Sequence, residues 1–307
     1  MNENAMIVSY SPHIRDRVTS SRIMLDVVIA LVPALIASVF VFGLRALLVT
    51  GACILSCVFF EWAYQKIVKK PVTIMDFSAV ITGMLLAFNL PVGIPIWQAV
   101  FGCAVAIVLV KQLFGGLGKN FANPAVTARV VMMLAFATTM TTWVQIDAYS
   151  SATPLMLMKR GEIAHLPSYV NMLFGVHGGS LGETSAVALL LGGVYLLVRR
   201  VITWHTPAAF IGTVVVASFL FGQNPIYHLL AGGLFLGAFF MATDYPTTPQ
   251  TNNGRLVFGF GCGLITVIIR LYGNYPEGVA FSILIMNMLV PYINRLTFKK
   301  ALGGKKA

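Results

Sequence analysis

Charge is scarce in this sequence, and acid is scarcer than base. Ten Asp and Glu stand against 21 Lys and Arg in 307 residues. Charged residues make up 10% and apolar residues 58%, with a mean hydropathy of +0.84, whereas a soluble domain carries about a quarter charged residues. That balance excludes an ordinary water-soluble globule. Metal-ligand patterns are missing too. The five histidines (His13, His165, His177, His205 and His228) are scattered with no ligand spacing. The four cysteines, Cys53, Cys57, Cys103 and Cys262, lie inside apolar segments without a C-x-x-C pair, so no disulfide framework can be read. Cys53 and Cys57 would share one helix face; that spacing suits either a buried metal ligand pair or small hydrophobes, and the absent C-x-x-C favours the second. No P-loop, dinucleotide fingerprint or catalytic triad is present, so the chain is not expected to bind ATP or NAD itself. The net charge of +11 is spread over the ends of apolar segments and forms no stripe. With no zinc-finger, helix-turn-helix or RNA-module pattern, nucleic acid is not an expected partner.

What the sequence has in abundance is apolar length. Ten candidate spans can be marked, at about 24–43, 46–66, 73–90, 95–114, 124–142, 186–199, 207–222, 226–242, 256–272 and 278–294. Most approach the ~17–25 residues that cross a bilayer as a helix, the sixth and seventh being short. Lipid offers no partners to an open backbone, so helices are required. The expected class is therefore an all-α integral membrane protein with ten transmembrane helices and membrane lipid around it. The first span lacks a clear cleavage site and is read as retained.

Placing the N-terminus in the cytoplasm puts Arg45, Lys159, Arg160 and Arg270 outside and the other 17 of the 21 cations inside, which the positive-inside rule favours. The chain then divides into a cytoplasmic segment 1–23, spans one to five over 24–142, an extracytoplasmic loop 143–185, spans six to ten over 186–294 and a basic cytoplasmic tail 295–307. Five spans on each side of the loop would place any repeated halves in opposite orientation. Glycine-rich runs at Gly232–Gly237 and Gly259–Gly263 suit close helix contact. Arg129, five residues into its span, is expected to snorkel to the cytoplasmic end, and Asp26 to be interfacial.

Three polar stretches interrupt this pattern. The first, Asp147-Ala148-Tyr149-Ser150-Ser151-Ala152-Thr153-Pro154, lies in the longest gap between apolar segments. Thr153 before Pro154 fits a helix N-cap with proline at N1, opening a short helix over 155–160. It fits a modified side chain equally, since a helix N-terminus is a favourable seat for phosphate. The second is Gly115-Gly116-Leu117-Gly118-Lys119-Asn120-Phe121-Ala122-Asn123-Pro124-Ala125, read as a tight turn capped by Asn123 or an amide cradle for an anion. The third is Met241-Ala242-Thr243-Asp244-Tyr245-Pro246-Thr247-Thr248-Pro249. Its Asp244 could face an ion or a flavin, or brace its own loop, and the bracing role is preferred.

The run D-x-x-S-x-A-T, the glycine-rich turn and the M-A-T-D-x-x-T-x-P stretch, in this order on a ten-span chain, resemble the RnfD/NqrB family from about residue 10 to residue 298. Two departures stand out: Ser151 occupies a position often taken by glycine, and Tyr245-Pro246 varies the third motif. The short N-terminal segment fits the D-type subunit of Rnf complexes better than the B-type subunit of sodium-pumping NADH:quinone reductases, which is the alternative. The resemblance implies a urea/ammonium-channel-like body of two inverted repeats, with FMN joined to Thr153 by a phosphoester bond and Asp147, Ser150, Ser151 and Ala152 around it. It also implies a second, non-covalent flavin such as riboflavin near the cytoplasmic side, attachment by a flavin transferase, and other Rnf subunits as partners. The activity implied is electron relay that couples ferredoxin:NAD⁺ transfer to Na⁺ or H⁺ movement across a prokaryotic cytoplasmic membrane. The chain would then be one subunit of an oxidoreductase, inactive alone. A channel of the same shape with no redox role is the reading from another class.

Overall fold

The computed structural model describes residues 19–143, 153–183, 185–273 and 277–298. Among them every regular element is a helix. Thr19 opens the first by accepting a hydrogen bond from the Arg22 amide, and α1 runs Ser20–Phe42. Gly43, at φ 72°, turns the chain directly into α2, Leu44–Ile67. There follow α3 (Ser78–Phe88), α4 (Ile96–Gln112), α5 (Pro124–Ala135), α6 (Ala137–Met140), α7 (Pro154–Arg160), α8 (Tyr169–Phe174), α9 (Ala186–Val198), α10 (His205–Leu220), α11 (Pro225–Leu230), α12 (Leu234–Leu236), α13 (Asn252–Tyr272) and α14 (Val279–Thr297). The second half of α4 and the continuation of α12 over Gly237–Met241 are wound wide, with i→i+5 bonding.

Four helices, α1, α2, α13 and α14, are long and apolar enough to cross a membrane by themselves; α3, α4, α5, α9 and α10 are shorter apolar helices. The differences from ten full spans have local causes. The third expected span stops at Phe88 because Pro91 removes a donor and forces its neighbour out of the helical region. The fifth bends at Phe136. The eighth, expected over 226–242, is broken at Ala231–Gly233, where Gly232 takes φ 55°. Such breaks survive inside a helical body only if their freed backbone groups find partners. Here they do. The Leu181 and Gly182 amides donate to the Leu90 and Phe88 carbonyls, both at 3.0 Å. Arg270 supplies donors to the broken eighth segment.

Packing brings α1 against α9, α2 against α3 and α4, α10 along α13, and α13 against α14. Several helix pairs meet backbone to backbone, as small residues permit. A Cβ on Gly192 of α9 would overlap the Ala30 carbonyl oxygen of α1, and one on Gly259 of α13 would lie 2.6 Å from that of Thr206. Large apolar side chains such as Phe40, Leu55, Phe219 and Leu296 point outward, while Glu61, Lys111, Arg129 and Arg270 are buried within. That distribution inverts the soluble pattern and suits a lipid surround.

Candidate functional site

Thr153 is where the cap reading requires it. Its hydroxyl oxygen accepts from the Met156 amide at 3.3 Å, with Pro154 at N1 of α7. Thr153 and Leu155 are buried, and Leu155 packs against Gly232, in the break of the eighth segment. Asp147, Ser150, Ser151 and Ala152, the other expected attachment residues, lie outside the described residues.

The second and third motifs, more than a hundred residues apart, meet. Gly115, Gly116 and Gly118 all take left-handed φ (116°, 93° and 84°), making the turn that delivers the chain to α5. Asn123 caps α5, its side-chain oxygen accepting from the Ala125 and Val126 amides at 3.0 and 3.3 Å. Its side-chain nitrogen donates to the Met241 carbonyl at 3.3 Å. Asn287 of α14, with its amide oriented to satisfy both partners, accepts from the Asn123 amide at 3.1 Å and donates to the Thr247 carbonyl at 3.0 Å. Asp244 accepts from the Thr247 hydroxyl at 3.1 Å, the loop-bracing role expected of it. Burial pushes its carboxyl up from 3.8 to about 6, opposed by the Thr247 hydrogen bond and by Lys111.

Between these motifs lies a cavity of about 90 Å³, lined among others by Ser78, Lys111, Asn120, Asn123, Thr243 and Asp244. Lys111 in its wall belongs to a buried ion pair. Lys111 Nζ reaches Glu61 Oε2 and the Ser78 hydroxyl, both at 2.7 Å, and Gln112 donates to Glu61 Oε1 at 2.9 Å. The available signal is a lone Glu and a lone Lys in apolar segments, which at membrane depth imply a partner. The Asn120 side-chain oxygen is buried without a hydrogen-bond partner among the described residues.

Arg129 does not snorkel. It is 3% exposed and bonds Asn89 Oδ1 and Glu183 Oε1 at 2.5 Å each, together with Glu277. Burying it with two acids is less costly than stretching it past α5 to water, because the carboxylates neutralise the guanidinium in place. Arg270, placed above among the outside cations, is likewise internal. Asp26, expected to be interfacial, is buried in the second turn of α1, paired with Arg199 at 3.1 Å and accepting from the Tyr195 hydroxyl at 2.9 Å. Cys53 and Cys57 are both buried on α2, and the Cys103 thiol donates to the Cys53 carbonyl at 3.5 Å. Among the described residues no group of three or more His, Cys, Asp or Glu converges to hold a metal.

Compared with known proteins, residues 7–303 match the model of the NQR2, RnfD, RnfE family. The chain belongs to that family. It is 48% identical to the D subunit of the Na(+)-translocating ferredoxin:NAD(+) oxidoreductase complex of Acetobacterium woodii, over 100% of this chain and 98% of that protein. It is 40% identical to the D subunit of the proton-translocating ferredoxin:NAD(+) oxidoreductase complex of Clostridium ljungdahlii, again over 100% of this chain and 98% of that protein. The D subunit of the ion-translocating oxidoreductase complex of Escherichia coli is 34% identical, over 97% of this chain and 99% of that protein.

Proposed function

We propose that this chain is the D-type membrane subunit of an Rnf-type complex, carrying FMN on Thr153 and relaying electrons between partner subunits while ions cross the membrane. The observation that carries this reading is full-length similarity to relatives named as the D subunits of ferredoxin:NAD(+) oxidoreductase complexes. It is joined to the D-x-x-S-x-A-T run that ends at Thr153. The cap geometry is compatible with attachment. The Thr153 oxygen serves α7 as an acceptor, and a phosphoester oxygen remains one. When bound, the flavin supplies the one- and two-electron chemistry, while the protein supplies position and electrostatics.

In this reading the body makes ten crossings in two inverted halves. Both termini lie in the cytoplasm of a prokaryotic cell and the Thr153 loop lies outside. The shorter helices and the broken eighth segment count as crossings because protein, not lipid, surrounds their irregular backbone. A second, non-covalent flavin such as riboflavin toward the cytoplasmic side belongs to the same reading, but the cavity of about 90 Å³ between the second and third motifs is too small to hold it, since small-molecule pockets run to about 300–1,000 Å³. Other Rnf subunits and a flavin transferase are the partners implied.

Co-expression with a flavin transferase tests the reading. The purified wild-type chain is expected to show flavin fluorescence after denaturing electrophoresis, and Thr153→Ala to show none. A colourless wild-type chain from the same cells would contradict it and leave the channel reading standing.

A further inference from the structure

The break in the eighth apolar segment is packed with charge. Arg129 from α5 bonds Glu183 and Asn89 at 2.5 Å each, and Glu277 as well. Arg270 from α13 bonds no carboxylate among the described residues. It donates to the carbonyls of His228, Ala231 and Gly232 at 2.5, 3.0 and 3.1 Å, capping the negative end of α11. The Glu183 carboxylate lies against the other side of the break, where a Cβ on Gly233 would come within 2.5 Å of its Oε1.

Here two carboxylates share one guanidinium, while the second guanidinium is committed to backbone. A cavity of about 10 Å³ lies between Asn89, Arg129, Glu183, Gly233, Arg270 and Glu277, about the room one water occupies. The Nε atoms of both arginines are buried without hydrogen-bond partners among the described residues. The two acids keep slight access, with side chains 7% and 11% exposed, while Arg129 is 3% exposed.

We propose that Glu183 and Glu277 form a proton-exchange site. The pair takes up one proton from water when an electron reaches the group carried at Thr153, and returns it when the electron leaves. This rests on the flavin reading above. With both acids ionised the four charges sum to zero. A proton added alone would leave an uncompensated positive charge among apolar helices, which is costly. An electron arriving nearby removes that cost. The path between the two is short, because Leu155, two residues after Thr153, packs on Gly232, whose carbonyl Arg270 holds.

The balance is simple: one O–H bond forms on a carboxylate as one breaks in a hydronium ion, and the electron comes from the carriers of the complex. The charged groups facing Glu277 are Arg129 from α5, Arg270 from α13 and Glu183 from the segment before α9; α14 presents Val279 and Ala280. Burial holds the Glu277 carboxyl above the ordinary carboxylate range, against the lowering by Arg129.

Redox-difference infrared spectroscopy on the purified complex tests this directly. Reduction of the flavin-loaded wild type should produce a protonated-carboxyl band that shifts in D2O. The band should vanish in Glu277→Gln, weaken in Glu183→Gln and be absent in Thr153→Ala. Glutamine keeps the side-chain shape and an acceptor for Arg129, and flavin fluorescence with complex yield reports folding. The proposal is overturned if loaded wild type shows no carboxyl band. It is equally overturned if the band survives in both glutamine variants or persists in Thr153→Ala. Wild type without flavin fluorescence would instead overturn the flavin reading, a failure visible in the same sample before reduction.

Discussion

The side-chain amide of Asn123 donates to the Met241 carbonyl at 3.3 Å, fastening the glycine-rich turn to the Met-Ala-Thr-Asp stretch 118 residues later. The same side chain caps α5 through its oxygen. One asparagine therefore sets both the start of a helix and the meeting of two motifs. Asn123→Ala loses both and is expected to cost about 1–3 kcal/mol, read as a lower thermal midpoint in detergent. Asn123→Asp keeps the cap, loses the donor, and should fall between.

Arg129 joins Asn89, Glu183 and Glu277, three groups far apart in sequence. Removing it leaves two buried carboxylates without their cation, and breaking a buried pair in this way costs roughly 3–5 kcal/mol. Arg129→Met should sharply reduce the yield of folded protein. Arg129→Lys should rescue only in part, because an ammonium cannot span the same acceptors as a planar fork. Adding Glu183→Gln and Glu277→Gln to Arg129→Met should recover stability. That non-additivity is measurable in a mutant cycle.

Helix contact supplies a third prediction. On Gly192 an alanine Cβ would overlap the Ala30 carbonyl oxygen, while around Gly212 nothing lies within 4 Å. Backbone cannot yield as a side chain does, so Gly192→Ala should cost about 1–3 kcal/mol. Gly212→Ala should be neutral or slightly stabilising, since alanine is the better helix former. Thermal midpoints of the two variants, measured side by side, check the contrast.

Asp244 predicts a pH dependence. Its folded-state pKa is raised from 3.8 to about 6, first by burial. A carboxyl raised on folding binds its proton more tightly in the folded state, so this group favours folding at low pH. Its contribution fades as pH rises through about 6. Between the ordinary carboxylate range and that value, Asp244→Asn should flatten part of the dependence of the thermal midpoint on pH. An unchanged slope would argue against a desolvated carboxyl there.

Much of this is legible without the structure. The apolar segments announce the helical body, Asn123-Pro124 and Thr153-Pro154 announce two capped helix starts, and Asp244 among threonines announces a braced loop. Each depends on residues within a few positions of one another. Arg129 is misjudged from sequence because snorkelling is a property of one helix, whereas its two acids arrive from segments 54 and 148 residues away. The Glu61–Lys111 pair, 50 residues apart, escapes for the same reason. The break at Gly232–Gly233 reads as a packing run because glycines that admit a neighbour and glycines that end a helix look alike in sequence. Only Arg270, waiting across the bundle for the freed carbonyls, distinguishes them.

The central claim is covalent flavin on Thr153, and intact-mass spectrometry of the denatured chain tests it most directly. Co-expressed with its flavin transferase, wild type should gain the mass of one FMN less one water, mapped to the peptide containing Thr153. Thr153→Asn, which retains a good helix cap, should fold normally and show no gain. An unmodified wild-type mass, or an adduct that persists in Thr153→Asn, would contradict the account.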